Sequence, residues 1–279
     1  MSFGSAIALV QKFAARSGGP AYPNLGLSRT LFAQALMDRI NSPTMIDQGA
    51  TSLCGPAVFL YNVLKREPED FARYVTDLYE TGRAKIGSLE VKPGADCRSY
   101  RVVAGDVAAV DWVALASLRD GGNALLDYQS PSNEAAGITM PGTLASWFRA
   151  ANFRQVENRT NVFFDSDLST LVKASNLFAA GSVVCLLIGA NLLTGSPGGT
   201  TIPDHWVSLS SPVRVGGAPV GPLAPLGDKV NTDPKLAKAA VSFDVFSWGE
   251  TSYPVTKRRS GLTVETCIDY FYGYVAAKG

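Results

Sequence analysis

The sequence predicts an α+β protein in which helices precede strands. In roughly the first half of the 279-residue chain, apolar side chains recur at the spacing of amphipathic helices, whereas the second half contains short apolar runs typical of strands. A chain with its helices and strands segregated in this way packs helices against an antiparallel sheet. Hydrophobic residues make up 46% of the chain, which is enough for a substantial core.

The first half is predicted to form a series of helices. Ser28 is a candidate N-cap for the second, and Asn41-Ser42-Pro43 ends that helix, because proline cannot continue it. Pro56 is tolerated only in the first turn of the helix that starts at Cys54. The predicted helices are Ala6–Ala15, Leu31–Ile40, Cys54–Lys65, Glu67–Tyr79, Val107–Leu118 and Pro141–Ala151, with a short strand at Lys85–Lys92.

The second half is predicted to form a sheet. A helix at Leu168–Ala179 leads into strands at Ser182–Ala190, His205–Val215 and Ala240–Trp248. The segment Gly216–Asp233 is dense in glycine and proline, so we expect it to be a mobile flap between neighbouring strands. The pattern of the aromatic-rich stretch Val264–Ala277 fits either a helix or a strand.

Composition excludes several classes of function. The 25 basic and 24 acidic residues nearly balance, so no basic field recruits nucleic acid. No apolar run reaches the ~18–20 residues that span a bilayer, and the N-terminus lacks the charged region of a signal peptide. We therefore expect a protein that is cytoplasmic at synthesis, without membrane insertion, and exported, if at all, by a specialised secretion system. The 4 cysteines are scattered, which argues against a zinc site.

The residue that restricts the chemistry most is His205, the chain's one histidine, in Pro-Asp-His-Trp-Val-Ser-Leu. A thiol nucleophile needs a base, and neutral imidazole suits that role near pH 7. The candidate nucleophile is Cys54, because the dipole at a helix N-terminus favours the thiolate. Gln48, six residues earlier, is a candidate oxyanion donor through its side-chain amide. Taken singly, a cysteine or histidine in an apolar segment is more often a structural residue.

Together these segments resemble those of the papain-like cysteine peptidases. The pattern Gln48-Gly49-(four residues)-Cys54 is similar to their active-site segment, and Cys54-Gly-Pro-Ala is nearer to the bacterial C39-like peptidases and papain-fold bacterial effectors. Downstream, an apolar strand, Asp204-His205-Trp and then Ser247-Trp-Gly follow in the family's order. The resemblance lies within residues 46–250 and does not include residues 67–160 or the flap.

The resemblance implies a papain-like fold, in which a helical lobe packs against an antiparallel sheet lobe with the active site between them. It implies one domain over residues 1–279, with a helical N-terminal extension at 1–43, a mainly helical lobe at 44–160 and a sheet lobe at 161–279 that carries the 216–233 flap.

One position departs from the family's pattern. Where the family has Asn or Asp before Ser-Trp-Gly, this chain has Phe246, which cannot accept a hydrogen bond from imidazole. Asp244, two residues earlier on the same strand face, is the candidate third catalytic residue. Asn191, Asp204 and a backbone carbonyl are the alternatives. Trp248 is interpreted as core, cleft wall or a shield for the His205 pair.

The implied activity is that of a thiol-dependent hydrolase, a cysteine peptidase acting on amide bonds of a protein or peptide substrate. No cofactor is required. The same machinery serves glutamine deamidases, transglutaminase-like enzymes and cell-wall amidase toxins, and a catalytically vestigial binding module is a further alternative. A toxin of this kind has an inhibitory immunity protein or a secretion component as a partner.

Overall fold

The computed structural model describes residues 2–103, 105–121, 139–164, 166–195, 203–220, 233–258 and 260–279. It confirms the predicted mixture of helices with antiparallel sheets. The chain divides into two compact units, one consisting of residues 1–140 and 146–152, and the other of residues 141–145 and 153–279.

The first, helical unit contains most of the helices. Helix α1 packs against α2 and α4, and α3 also packs against α4. Its elements are α1 (Phe3–Ala14), α2 (Arg29–Asn41), a 3-10 turn (Pro43–Met45), α3 (Cys54–Arg66), α4 (Pro68–Thr81), β1 (Ala84–Ile86), β2 (Leu89–Val91), α5 (Ala95–Ser99), α6 (Ala109–Asp111), a π-helical turn (Trp112–Ala116) and α7 (Ser117–Gly121). Helix α8 (Pro141–Ala150) contributes its first half to the second unit and its second half to this one.

Local sequence signals explain the ends of these helices. The Ser28 side chain accepts a hydrogen bond from the Leu31 N–H, as the capping prediction requires. Pro68 begins α4, where a missing N–H costs nothing, and Gly82 ends it in the left-handed conformation. The helix predicted to begin at Cys54 does begin there, with Pro56 in its first turn.

The second, sheet unit is organised around a six-stranded antiparallel sheet with the order β10-β9-β5-β4-β11-β3. Strands β6, β7 and β8 form a separate three-stranded sheet. The elements are β3 (Arg154–Thr160), α9 (Leu168–Ala179), β4 (Val183–Ile188), α10 (Asn191–Thr194), β5 (His205–Leu209), β6 (Arg214–Val215), β7 (Ala218–Pro219), α11 (Pro234–Ala237), β8 (Val241–Ser242), β9 (Asp244–Ser247), β10 (Glu250–Pro254), α12 (Val264–Ile268) and β11 (Phe271–Lys278).

One hydrophobic cluster forms the core of the sheet unit. It joins one face of the central strands to α9, α12 and the three-stranded sheet. Alternate residues of the central strands contribute to it, as the two-residue period of a strand requires. From the three central strands its members are Val184, Leu186, Ile188, Val207, Leu209 and Val245.

Several predicted boundaries in the first half were wrong. The single strand predicted at residues 85–92 is instead the antiparallel hairpin β1–β2 over residues 84–91, because Gly87 adopts a positive φ and turns the chain. The boundary of the helical part lies at residue 152, not 160, because β3 pairs with β11 in the sheet. Residues 1–43 belong to the helical unit and are not an extension, since α1 and α2 pack within it.

Predictions for the second half also needed correction. The strand predicted to run from His205 to Val215 ends at Leu209, and the one predicted at 240–248 is two strands in different sheets. The ambiguous C-terminal stretch contains both a short helix and a strand, α12 and β11. Strands β5 and β9 are neighbours, as expected, but residues 221–232 of the predicted flap lie outside the described residues.

Candidate functional site

Cys54 is the first residue of α3, a 13-residue helix buried along most of its length. The Leu53 side chain provides no cap, and the Ala57 N–H donates to the Leu53 carbonyl at 2.9 Å. The positive end of the helix dipole lies at this position and favours a thiolate over a thiol. Cys54 is only 4% exposed, yet it is the most exposed of the 4 cysteines, which are all buried and form no disulfide.

The loop before Cys54 is held by its own hydrogen bonds. The Gln48 side-chain amide donates to the Thr51 carbonyl at 2.8 Å, and the Thr51 hydroxyl donates to the Gln48 carbonyl at 2.6 Å. An amide nitrogen carries two N–H donors, so this bond leaves one donor of the Gln48 side chain for another acceptor. The role of Gln48 as an oxyanion donor stays a prediction. The structure does show that its side chain is buried and fixed in place.

Gly49 is required at the tip of this loop for two reasons. Its φ is +58°, a region that side chains disfavour, and a β-carbon there would overlap the carbonyl of Asp106. Its N–H donates to the Asp47 carboxylate at 2.9 Å. The glycine next to Gln48 therefore shapes the loop by close packing, and does not merely make it flexible.

A buried ion pair between Arg39 and Asp111 contacts the same loop. Arg39 donates through Nε to Asp111 Oδ1 at 2.8 Å and through Nη2 to Oδ2 at 2.6 Å. The Asp47 N–H also approaches Asp111 Oδ2, at 3.4 Å. The pair raises the pKa of Arg39, because the adjacent carboxylate outweighs burial. Asp47, the first residue of the loop at residues 47–53 (the Gln48 loop), is thus hydrogen-bonded to the buried ion pair between α2 and α6.

In the sheet unit, His205 begins β5, the strand between β4 and β9. Its side chain is 4% exposed and points to the same sheet face as Val207 and Leu209. Burial lowers the pKa of His205 from 6.5 to about 4. The imidazole is therefore neutral at pH 7, the state that accepts a proton.

Two consecutive residues contact the His205 ring, Ser247 at the end of β9 and Trp248 in the turn that follows. Ser247 Oγ lies 2.8 Å from Nε2, and Ser247 is itself buried. The Trp248 ring stacks on the imidazole with centroids 4.6 Å apart and an angle of 15° between the planes. The Trp248 ring also meets Tyr253 edge-on, with ring centroids 5.7 Å apart. One edge and one face of the imidazole are therefore fixed within the sheet unit.

The prediction that Asp244 orients His205 was wrong. Ser208 pairs with Phe246 and Leu209 with Val245, so the same register sets Asp244 opposite residue 210. That position is five residues along β5 from His205, or about 17 Å at ~3.4 Å per residue. Asp244 also lies on the sheet face opposite to the one that carries His205 and Ser247.

The two alternative side chains, Asp204 and Asn191, have other partners. The Asp204 carboxylate accepts the Ala190 N–H at 2.6 Å, and burial raises its pKa. The Asn191 side chain accepts from the Thr194 hydroxyl at 3.3 Å. Sequence reasoning missed Ser247, whose signal was its place in Ser-Trp-Gly, one residue beyond the position expected to be Asn.

The structure thus places Gln48 and Cys54 in the helical unit, in the loop and at the helix start that follows it, and brings His205, Ser247 and Trp248 into contact in the sheet unit. The chain matches no protein-family model, no curated protein and no solved structure. Within the described part of the chain, no helix has the length and apolar character needed to cross a membrane.

Proposed function

We propose that this protein is a thiol-dependent hydrolase of amide bonds, a cysteine peptidase with Cys54 as nucleophile and His205 as base on a papain-like fold. The observation that carries the proposal is the order β4-β5-β9 in the sheet, with the one histidine at the start of the middle strand. That arrangement is the one the resemblance implies, and it rests on strand pairing that the motifs alone do not specify.

The helical unit supports the assignment of the nucleophile. Cys54 begins a 13-residue helix, and the loop before it has a fixed conformation. Two of the other thiols have less suitable surroundings, since burial raises the pKa of Cys97 and that of Cys185 well above the ordinary value of a thiol. Because its low pKa keeps His205 neutral, the imidazole serves as the base that removes the thiol proton, while the helix N-terminus favours the thiolate that forms.

In the proposed reaction, neutral His205 takes the thiol proton of Cys54 and the sulfur attacks the amide carbonyl carbon. The oxyanion accepts hydrogen bonds from the Cys54 N–H and from the Gln48 side chain. The imidazolium returns the proton to the departing amine, which leaves a thioester on Cys54. Water, deprotonated by His205, then hydrolyses the thioester to a carboxylic acid and regenerates the thiol.

The proposal is tested by incubating the protein with a panel of folded proteins, peptides and cell-wall fragments and analysing the products by mass spectrometry. Backbone scission supports the peptidase, whereas conversion of glutamine to glutamate or release of muropeptides assigns the same residues to a deamidase or an amidase. Activity should vanish in Cys54→Ala and persist in Cys97→Ala, a buried cysteine of the same unit. Activity that survives in Cys54→Ala would exclude Cys54 as nucleophile, and an inert wild type that also fails to react with thiol-directed electrophiles would favour a binding module.

A further inference from the structure

Ser247 and His205 form a buried polar pair on one face of the sheet. Continuing the β5–β9 register sets Ser247 opposite Val207, so Ser247 is the diagonal neighbour of His205 on that face. Their side chains meet at 2.8 Å between Oγ and Nε2, and the residues are 3% and 4% exposed. A buried polar contact of this kind fixes a side chain, because losing it leaves an unsatisfied group away from water.

The turn after Ser247 carries an independent sign of function. Trp248 has φ +46° and Gly249 has φ +73°, and Ser247 pairs with Glu250 across this two-residue connection. Such turns favour Asn-Gly, because both central residues need positive φ, and a bulky residue there is a genuine outlier. Strain of this type persists only where the surroundings hold it. Here the Trp248 ring contacts both the His205 ring and the Tyr253 ring.

Neutral imidazole has one N–H, and the partner of each ring nitrogen decides where that proton lies. We propose that Ser247 is the positioning residue of His205: its hydroxyl oxygen accepts a hydrogen bond from Nε2–H, Trp248 fixes the ring plane, and Nδ1 is left as the nitrogen that takes the thiol proton. The Ser-Trp pair at the end of β9 thereby takes the place of the Asn or Asp side chain that the sequence lacks.

This assignment determines which ring nitrogen carries a proton at each step of the proposed reaction. When Nδ1 takes the proton of Cys54, both ring nitrogens carry hydrogen, and Nε2–H continues to donate to Ser247. The Nδ1 proton then passes to the leaving amine, which restores the starting tautomer. Only this use of Nδ1 rests on the proposed function. The tautomer itself is a property of the free protein.

The chain's single histidine makes the test direct. With ¹⁵N-labelled histidine, two-bond proton–nitrogen correlations at pH 7 report one pair of ring nitrogens, without assignment ambiguity. We expect a pyrrole-like shift for Nε2 and a pyridine-like shift for Nδ1. Replacing Ser247 with Ala should reduce the excess of the Nε2–H form about tenfold, the amount that corresponds to one hydrogen bond.

Two further variants separate positioning from packing. Ser247→Thr keeps the hydroxyl and should retain the wild-type tautomer, which also gives a readable result if the alanine variant does not fold. Ser208→Ala removes a buried hydroxyl from the opposite face of the same sheet and should leave the tautomer unchanged. A wild-type protein with the proton on Nδ1, or a Ser247→Ala protein with the wild-type ratio, would overturn the proposal.

The same spectra distinguish this inference from the proposed function. A Cys54 that never reacts, with the proton on Nε2, refutes the peptidase and leaves the positioning role of Ser247 standing. Turnover by Cys54 with the proton on Nδ1 refutes the positioning role alone.

Discussion

Removing the Asp111 carboxylate should destabilise the helical unit strongly. The Asp111 and Arg39 side chains are 2% and 9% exposed and share two hydrogen bonds of 2.8 and 2.6 Å. In Asp111→Ala the guanidinium stays buried without its counter-charge, and breaking a buried pair in this way costs about 3–5 kcal/mol. The matched control is Arg73→Ala, which breaks the Arg73–Glu69 pair at a 54% exposed side chain and should cost less than about 1 kcal/mol.

A double variant tests whether the cost comes from the unpaired charge. Arg39→Met combined with Asp111→Ala removes both charges, so it should cost less than Asp111→Ala alone. The assay is urea-induced unfolding monitored by tryptophan fluorescence. The free energies of unfolding are compared from the urea midpoints of the variants, with one shared m-value. Hydrogen exchange in the Gln48 loop should also become faster in Asp111→Ala, since the Asp47 N–H donates to this carboxylate. An Asp111→Ala protein within about 1 kcal/mol of the Arg73→Ala control would refute the reasoning.

The remaining predictions concern α3 and His205. A β-carbon at Gly55 would overlap the Thr139 side chain, so Gly55→Ala should cost about 1–3 kcal/mol in urea unfolding. In contrast, a β-carbon at Gly4 in α1 would make only an ordinary 3.8 Å contact with Ser2 Oγ, so Gly4→Ala should stabilise by about 0.5–1 kcal/mol. Equal effects of the two substitutions would contradict this packing. Because the pKa of His205 is about 4 when folded, the unfolded chain binds its proton first as the pH falls below about 6.5. Stability should therefore decline by roughly 3 kcal/mol between pH 6.5 and 4, relative to a His205→Gln variant that lacks this group, and identical profiles would argue against a buried neutral imidazole.

Much of the fold followed from local signals. The helix from Leu168 to Ala179 was predicted with both ends correct, because Asp167 caps it and the apolar spacing is regular. Strand β3 was missed because its sequence, Arg-Gln-Val-Glu-Asn-Arg-Thr, is polar and lacks apolar alternation. It is the edge strand of the sheet, and its place depends on pairing with β11, more than 100 residues later.

The candidate site was predictable where the chemistry is local to the chain. Cys54 at a helix start and His205 at a strand start follow from turn signals and apolar runs near them. The partner of His205 did not follow, because it depends on the register between β5 and β9. Shifting the register by one residue along β9 changes which side chains lie on the same sheet face as His205. The motif alone therefore suggested Asp244, whereas the observed strand pairing places Ser247 next to His205.

The most direct test of the central claim is the rate of Cys54 alkylation by iodoacetamide as a function of pH, with the label located by mass spectrometry. We expect Cys54 to react fastest of the 4 cysteines, with an inflection well below the ~8.5 of an ordinary thiol, and to slow in His205→Ala. The Ser247→Thr variant, which keeps the hydroxyl, should react as the wild type does. Faster labelling of Cys97 or Cys267, or a Cys54 rate that is the same with and without His205, would contradict the account.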